Sequence, residues 1–221
     1  MRIVLLGPPA SGKGTQGRRL SASLGLGYLS TGALLRENIE EGTPLGLAAA
    51  PILARGGYLP DELMCPILAD WLTKNDSGKG WVLDGFPRSM PQAEFLDRSL
   101  SENGAALDAA VALEAPFDEL LRRIRDRVEC PGCRWSGQRR ELSEGDLCPK
   151  CASPAAPRDD DREENFRNRH AEFTALTIPV IDFYRSSGRL ISVPATGTKE
   201  ETAAILLSHL NRPYSSLKVE I

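Results

Sequence analysis

Gly7-Pro8-Pro9-Ala10-Ser11-Gly12-Lys13-Gly14-Thr15 follows directly on the apolar run Ile3-Val4-Leu5-Leu6. A strand that empties into a glycine-rich loop, then a lysine and a polar helix start, is the build of a phosphate cradle. Glycines let successive backbone N–H groups turn toward one anion, the following helix presents its positive end, and the lysine adds a full charge. The strict pattern has Ser or Thr directly after the lysine. Here Gly14 takes that place and the hydroxyl comes one residue later, at Thr15.

Working outward, Gln16 onward predicts a helix covering the first strand, and Tyr28-Leu29 a short second strand. Residues 30–75 read as mostly helical, broken at Gly42-Thr43-Pro44 and Gly56-Gly57. Trp81-Val82-Leu83-Asp84 reads as a buried strand ending in a carboxylate, and Gly85-Phe86-Pro87-Arg88 follows it. Ala109 to Leu113 predicts another strand. Phe117, Leu120, Leu121, Ile124 and Val128 share one face of a helix over 117–128. A long helix is predicted from about Asp159 to Tyr184 with a kink at Pro179. Leu190 to Val193 gives a last strand, 199–211 a closing helix, and the tail after Pro213 is expected to be loose. Strands alternating with helices imply an α/β fold, a parallel sheet covered on both faces.

The chain has 221 residues and 41% hydrophobic content, enough for one sizeable core with small inserted lobes. A net charge of −3 argues against a general nucleic-acid binder. Residues 122–169 nevertheless hold eleven arginines, and that density beside a phosphate loop points to a second anion site. Arg123 and Arg127, four apart, would repel on one helix face unless an anion joined them. Pairing of Glu119 with Arg123 and of Asp126 with Arg122 explains part of the cluster but not Arg127. Phe166, Arg169 and Phe173 fall on one stripe, which suits an arginine lining a cleft. Asp84, at a strand end beside the loop, fits either a carboxylate that orders magnesium and its waters or a plain helix cap. The N-terminus runs straight into a strand and no apolar run approaches the ~20 residues of a membrane span, so a cytoplasmic location is expected.

Cys130-Pro131-Gly132-Cys133 and Cys148-Pro149-Lys150-Cys151 are two knuckles fourteen residues apart. Two residues between thiolates let both reach one tetrahedral ion, and two knuckles close a four-thiolate shell, which suits structural zinc. Iron or a labile disulfide pair are the alternatives. A closed shell cannot activate water, so the metal would act as a clamp. Cys65, on an apolar helical stretch, reads as ordinary core; His170 and His209 have no partner pattern and read as structural or surface.

Taken together, the chain resembles the adenylate kinases, in their bacterial form with a metal-binding lid. The blocks that carry the likeness are Gly7 to Thr15; Ser30-Thr31-Gly32 with Leu35-Arg36; Leu83 to Arg88 with Gln92; Arg123 and Arg127; the four cysteines; Arg158-Asp159-Asp160; Arg169; and Gly197-Thr198-Lys199. The resemblance implies magnesium-dependent, reversible transfer between ATP and AMP to give two ADP, by a monomer. It implies a phosphate-loop core (1–29, 60–126 and 161–221), a helical AMP-binding lobe (30–59) and a zinc-stabilised lid (127–160). By the same resemblance Ala10, Ser11, Gly12, Lys13, Gly14 and Thr15 wrap the ATP phosphates, Arg123 lies against the ATP base, and the Lys199 backbone meets that base. Thr31, Arg36, Gly57, Tyr58, Leu59, Gly85, Phe86, Pro87, Arg88 and Gln92 hold AMP. Arg88, Arg127, Arg158 and Arg169 converge on the phosphates with Lys13, Arg158 and Arg169 on the AMP side. The chain departs from the family pattern at Ala33, where Asp is usual, at Arg127-Val128, where two arginines are usual, and in a shortened stretch between the knuckles.

Overall fold

A computed structural model of the chain describes residues 1–75, 78–158 and 161–210. The opening run forms β1 (Arg2–Leu6), and the loop behind it enters α1 (Lys13–Leu24). Next come β2 (Gly27–Ser30) and three helices, α2 (Thr31–Glu40), α3 (Pro44–Ala54) and α4 (Asp61–Asn75), broken where the glycine and proline clusters predict. β3 (Trp81–Asp84), α5 (Met90–Glu102), β4 (Ala109–Glu114) and α6 (Phe117–Asp126) continue the alternation. A small ribbon of β5 (Arg127–Glu129) and β6 (Ser136–Gln138) precedes α7 (Glu163–Glu172), α8 (Ile178–Ser186), β7 (Leu190–Pro194) and α9 (Lys199–Leu210).

Five strands form one parallel sheet in the order β2-β3-β1-β4-β7. Alternation along a strand sends Ile3 and Leu5 to one face and Val4 and Leu6 to the other. The first pair packs with Leu20 of α1 and Leu206 of α9. The second packs with Trp81, Leu96, Val180 and Tyr184. Burial on both faces is why these strands read as continuous apolar runs. Register pairs Leu5 with Asp84, so the carboxylate ending β3 stands beside the loop that leaves β1. No helix among the described residues is long and apolar enough to cross a membrane.

Three elements differ from the sequence reading. α6 stops at Asp126, and Arg127 turns extended (φ −74°, ψ 134°) to enter the antiparallel ribbon opposite Gln138. Arg123 and Arg127 therefore do not share a helix face. The apolar period ran on through Val128 because Val128 is buried too, but on the ribbon. The long helix starts at Glu163 rather than near Asp159, and a π-helical stretch (Phe173–Thr177) interrupts it before Pro179. Pro179 has no N–H to give its preceding turn, so the ladder re-registers there and α8 begins with the proline in its first turn. Helix α5 is the element that the apolar pattern passed over. Its signals were local: Ser89 accepts from the Gln92 N–H as cap, and Pro91 sits in the first turn. The expectations for Asp159, Asp160, residue 211 and the tail after Pro213 fall outside the described residues.

Candidate active site

Lys13 opens α1, behind a loop whose backbone uses left-handed angles at Ala10 (φ 64°) and Gly12 (φ 94°). Gly7 has no room for more than a hydrogen: a Cβ there would stand 2.7 Å from the Leu113 carbonyl oxygen. The Lys13 ammonium donates to the carbonyls of Gly7 (2.7 Å) and Pro8 (2.8 Å). Burial lowers its pKa from 10.5 to about 8; Asp84 pulls it back up, while Arg88, Arg127 and Arg169 push it down further. One ammonium thus feels three guanidiniums and one carboxylate drawn from three other parts of the chain. A Cβ on Gly14 would lie 3.3 Å from Asp84 Oδ2. A side chain in that slot, where the strict pattern has Ser or Thr, would need the carboxylate to give by a few tenths of an ångström. Asp84 is buried, accepts from the Tyr28 hydroxyl (3.2 Å), and with burial pushes that phenol's pKa up.

The other cations are fixed by their own partners. Arg88 donates through Nε to the Gly85 carbonyl (2.7 Å) and lies over the Tyr58 ring, 4.3 Å from its centroid. Arg127 pairs with Asp161 (Nε to Oδ2, 2.6 Å), and Arg158 pairs with Glu129. Burial, and then Arg127 and Arg36, lower the Arg158 pKa to about 10. Arg123 donates to Glu119 (2.8 Å) and to the Ala195 carbonyl (2.6 Å). Glu119 also holds Arg122, so the expected pairing of Arg122 with Asp126 gives way to one carboxylate shared by two arginines. Arg169 comes from α7, with Phe166 and Phe173 of its stripe buried as predicted.

These groups line one cavity of about 610 Å³ at the carboxyl ends of the strands. Its wall contains residues 10–15, Arg36, Gly57, Tyr58, Leu59, Asp84, Gly85, Pro87, Arg88, Arg123, Arg127, Arg158, Arg169 and Lys199. A cavity of that size with fixed cations around a phosphate loop suits a polyphosphate ligand. A family model described as adenylate kinase matches residues 5–189. The chain belongs to the adenylate kinase family. An adenylate kinase of Thermodesulfovibrio yellowstonii is 43% identical over 207 residues, covering 91% of this chain and 94% of the relative. Adenylate kinases of Salinispora tropica (38% over 217 residues, 97% and 100%) and Streptomyces coelicolor (40% over 215 residues, 96% and 99%) match as fully. The chain is accordingly a nucleoside monophosphate kinase, and the family reaction is phosphoryl transfer between ATP and AMP to give ADP.

Three residues that the adenylate kinase resemblance assigns to AMP are not in the cavity wall. Thr31 donates to the Gly85 carbonyl (3.0 Å), and Phe86 is fully buried in the core. The Gln92 side chain is buried, accepting from the Arg88 N–H (2.8 Å) and donating to Asp61 (2.7 Å). Lys199 does line the cavity; its carbonyl accepts from Gln16 Nε2 (2.9 Å) and its ammonium pairs with Glu141. Other wall residues had no individual role in the sequence reading: Arg18 on α1, Ser136, Gly137 and Gln138 on the ribbon, and Arg134 and Arg140 beside it, which entered only as members of the arginine cluster. Arg134 reaches across to α2 and grips Glu40 with both nitrogens (3.0 and 2.6 Å). No period marks these ribbon residues. The one local signal is Gly137, where a side chain would collide with the Trp135 ring.

The four cysteines of this adenylate kinase come together. Their sulfurs all lie within 4.8 Å of one another, with Cys130–Cys151 and Cys133–Cys148 at 3.5 Å. Tetrahedral zinc with bonds of about 2.3 Å sets neighbouring sulfurs about 3.8 Å apart, so the donor set and its spacing fit that ion. Donors from Ser153 pull the Cys151 thiol down to about 6, while, against the Trp135 backbone, burial and the neighbouring thiols push Cys133 up to about 12, so the four sulfurs share protons that a metal would displace. Val128, Cys130 and Cys148 are the buried apolar residues described between 127 and 158. The sulfur cluster is therefore most of the core this segment has.

Proposed function

We propose that the chain catalyses Mg-ATP + AMP ⇌ 2 ADP and so balances adenine nucleotides. The observation that carries this reading is the gathering of Lys13, Asp84, Arg88, Arg127, Arg158 and Arg169 on the wall of one cavity. Phosphoryl transfer asks little covalent chemistry of a protein; positioning and charge neutralisation supply most of the rate. Lys13 and residues 10–15 hold the ATP phosphates. Arg88, Arg127, Arg158 and Arg169 neutralise the group in flight, with Arg158 and Arg169 also holding AMP. Arg123 lies against the ATP base and the Lys199 backbone meets it. Thr31, Arg36, 57–59, 85–88 and Gln92 hold AMP. Asp84 is a hard oxygen donor beside the loop, suited to a magnesium ion held through water, which would supply neutralising charge to the phosphates.

We read residues 1–29, 60–126 and 161–221 as the core, 30–59 as the AMP lobe and 127–160 as a lid clamped by zinc. A lid that closes over both nucleotides excludes water, the competing acceptor. The protein is read as a cytoplasmic monomer whose partners are ATP, AMP and ADP; its net charge of −3 supports no nucleic-acid role, and no membrane role is assigned. A coupled assay of ADP formation from ATP with AMP, CMP, GMP and UMP in turn tests the reading. Strong preference for AMP is the expected result, and preference for another monophosphate overturns it.

Two further outcomes are expected. Lys13 serves as a cation, and its pKa of about 8 belongs to the nucleotide-free enzyme. The value of kcat/KM for ATP should therefore fall above about pH 8, while kcat holds to higher pH because bound phosphates raise the pKa again. For stability the sign is opposite: between about 8 and 10.5 the unfolded chain binds more protons at this lysine, so its contribution to stability rises with pH. A kcat/KM flat to pH 10 would contradict the role given to Lys13. Removing the metal with a strong chelator should unfold the 127–160 segment at lower temperature, read by hydrogen exchange, while turnover in the cold changes much less. Unchanged protection of that segment would refute the clamp.

A further inference from the structure

Asp61, the first residue of α4, belongs to no binding assignment above. It accepts from Gln92 Nε2 (2.7 Å) and from the Ser89 hydroxyl (2.9 and 3.0 Å to its two oxygens). On the other side of the same amide, the Arg88 N–H donates to Gln92 Oε1 (2.8 Å). An ionised carboxylate can only accept, so the group facing it must be the NH2. A backbone N–H can only donate, so the group facing it must be the oxygen. Both neighbours enforce one orientation of an amide that would otherwise be free to turn end for end. An acceptor alone, as in a simple helix cap, would be served equally by glutamate at 92; the carboxylate of Asp61 is what demands the amide.

We propose that Asp61 is a positioning residue that sets base selectivity by fixing which end of the Gln92 amide is donor and which acceptor. The inference rests on the reading of Gln92 as the side chain that recognises the AMP base. Asp61 and Arg88 occupy one N–H and one lone pair of the amide. One N–H and one lone pair remain, in a fixed order. Adenine offers an acceptor at N1 and a donor at its 6-amino group, which complement an amide held that way. A 6-oxopurine has both reversed, N1–H and O6, and meets donor against donor and acceptor against acceptor. It would bind only if the amide flipped, and flipping would set NH2 against N–H at Arg88 and oxygen against carboxylate at Asp61. Rejection of a base by an unmet buried polar group is a strong form of discrimination.

Cytosine separates this device from general loosening of the pocket, because it presents the same donor and acceptor order as adenine. The test is kcat/KM for AMP, IMP and CMP, each with ATP, in the wild type, Asp61→Asn, Asp61→Ala and Gln92→Ala. Asparagine keeps the volume and offers either a donor or an acceptor to Gln92, so at position 61 both amide orientations find a partner and only the Arg88 N–H still holds the original one. Asp61→Asn should raise the IMP:AMP ratio about tenfold, the scale of one charge-assisted hydrogen bond, and leave CMP:AMP unchanged. Asp61→Ala should move IMP:AMP the same way. If IMP and CMP rise together, or neither ratio moves, while Gln92→Ala does erode selectivity, the proposal fails and the role of Gln92 stands. If Gln92→Ala leaves all three preferences intact, Gln92 is not the base reader and both fail.

Discussion

Lys13→Met lowers turnover about a thousandfold, the scale of losing a fixed cation from a phosphoryl-transfer site, and does not lower the unfolding midpoint. The two halves of that result have one cause. A pKa drawn from 10.5 to about 8 means that keeping this ammonium charged inside the protein costs about 3 kcal/mol. Methionine removes that cost while filling a similar volume. Against the gain stand the carbonyls of Gly7 and Pro8, which lose a donor; an unmet buried acceptor costs about 1–3 kcal/mol. Two such acceptors would cost about 2–6 kcal/mol at full burial, but both contacts are only part-buried, which puts the loss at the low end and leaves the terms close to cancelling; each kcal/mol moves the midpoint of a chain this long by about 2–4 °C. Steady-state assay and thermal unfolding of the same preparation check both halves. Near-normal turnover would refute the catalytic assignment, and a midpoint lowered by more than about 5 °C would show that the ammonium holds the loop together instead.

Arg88→Ala is expected to lower kcat by about a hundred- to a thousandfold, with KM for AMP raised and KM for ATP little changed. Arg88 is held from two sides, by the Gly85 carbonyl and by the Tyr58 ring. Those contacts orient a planar fork before any nucleotide arrives, and a pre-oriented donor stabilises developing charge without reorganisation. Lysine keeps the charge but has neither the fork nor the flat face that rests on tyrosine, so Arg88→Lys should recover little of the rate. Full activity in Arg88→Lys would mean that charge alone is used at this position. Unchanged kcat in Arg88→Ala would remove it from the reaction.

Where a residue's role followed from backbone demands or from a short local pattern, the sequence displayed it. The phosphate loop is of this kind: strand, glycines and lysine are consecutive, and the register that puts Asp84 beside them follows from two neighbouring buried runs. The cysteine knuckles are another, since ligand spacing is itself geometry. Arg127 was legible as an arginine without a local partner, but its partner Asp161 lies 34 residues on, and the helical period around it concealed a change to extended chain. Beyond the arginines counted in the 122–169 cluster, the ribbon residues 134–140 were silent because a short segment organised by four sulfurs needs no apolar repeat. Glu40 and Arg134 meet across 94 residues, a separation no local pattern encodes. The resemblance assigns Thr31 and Gln92 to AMP, while in this structure their hydrogen bonds go to Gly85, Arg88 and Asp61.

The ion pair of Arg127 with Asp161 ties the chain as it leaves the core at β5 to the chain as it returns just before α7. If the 127–160 segment swings as the proposed lid, that pin is its axle. In any swing of the segment beyond it, displacement grows with distance from the axle, so Arg134 and Gln138 travel far while Arg127 hardly moves from Lys13. An opened enzyme would still show an incoming triphosphate both charges in register, and capture would come first, enclosure second.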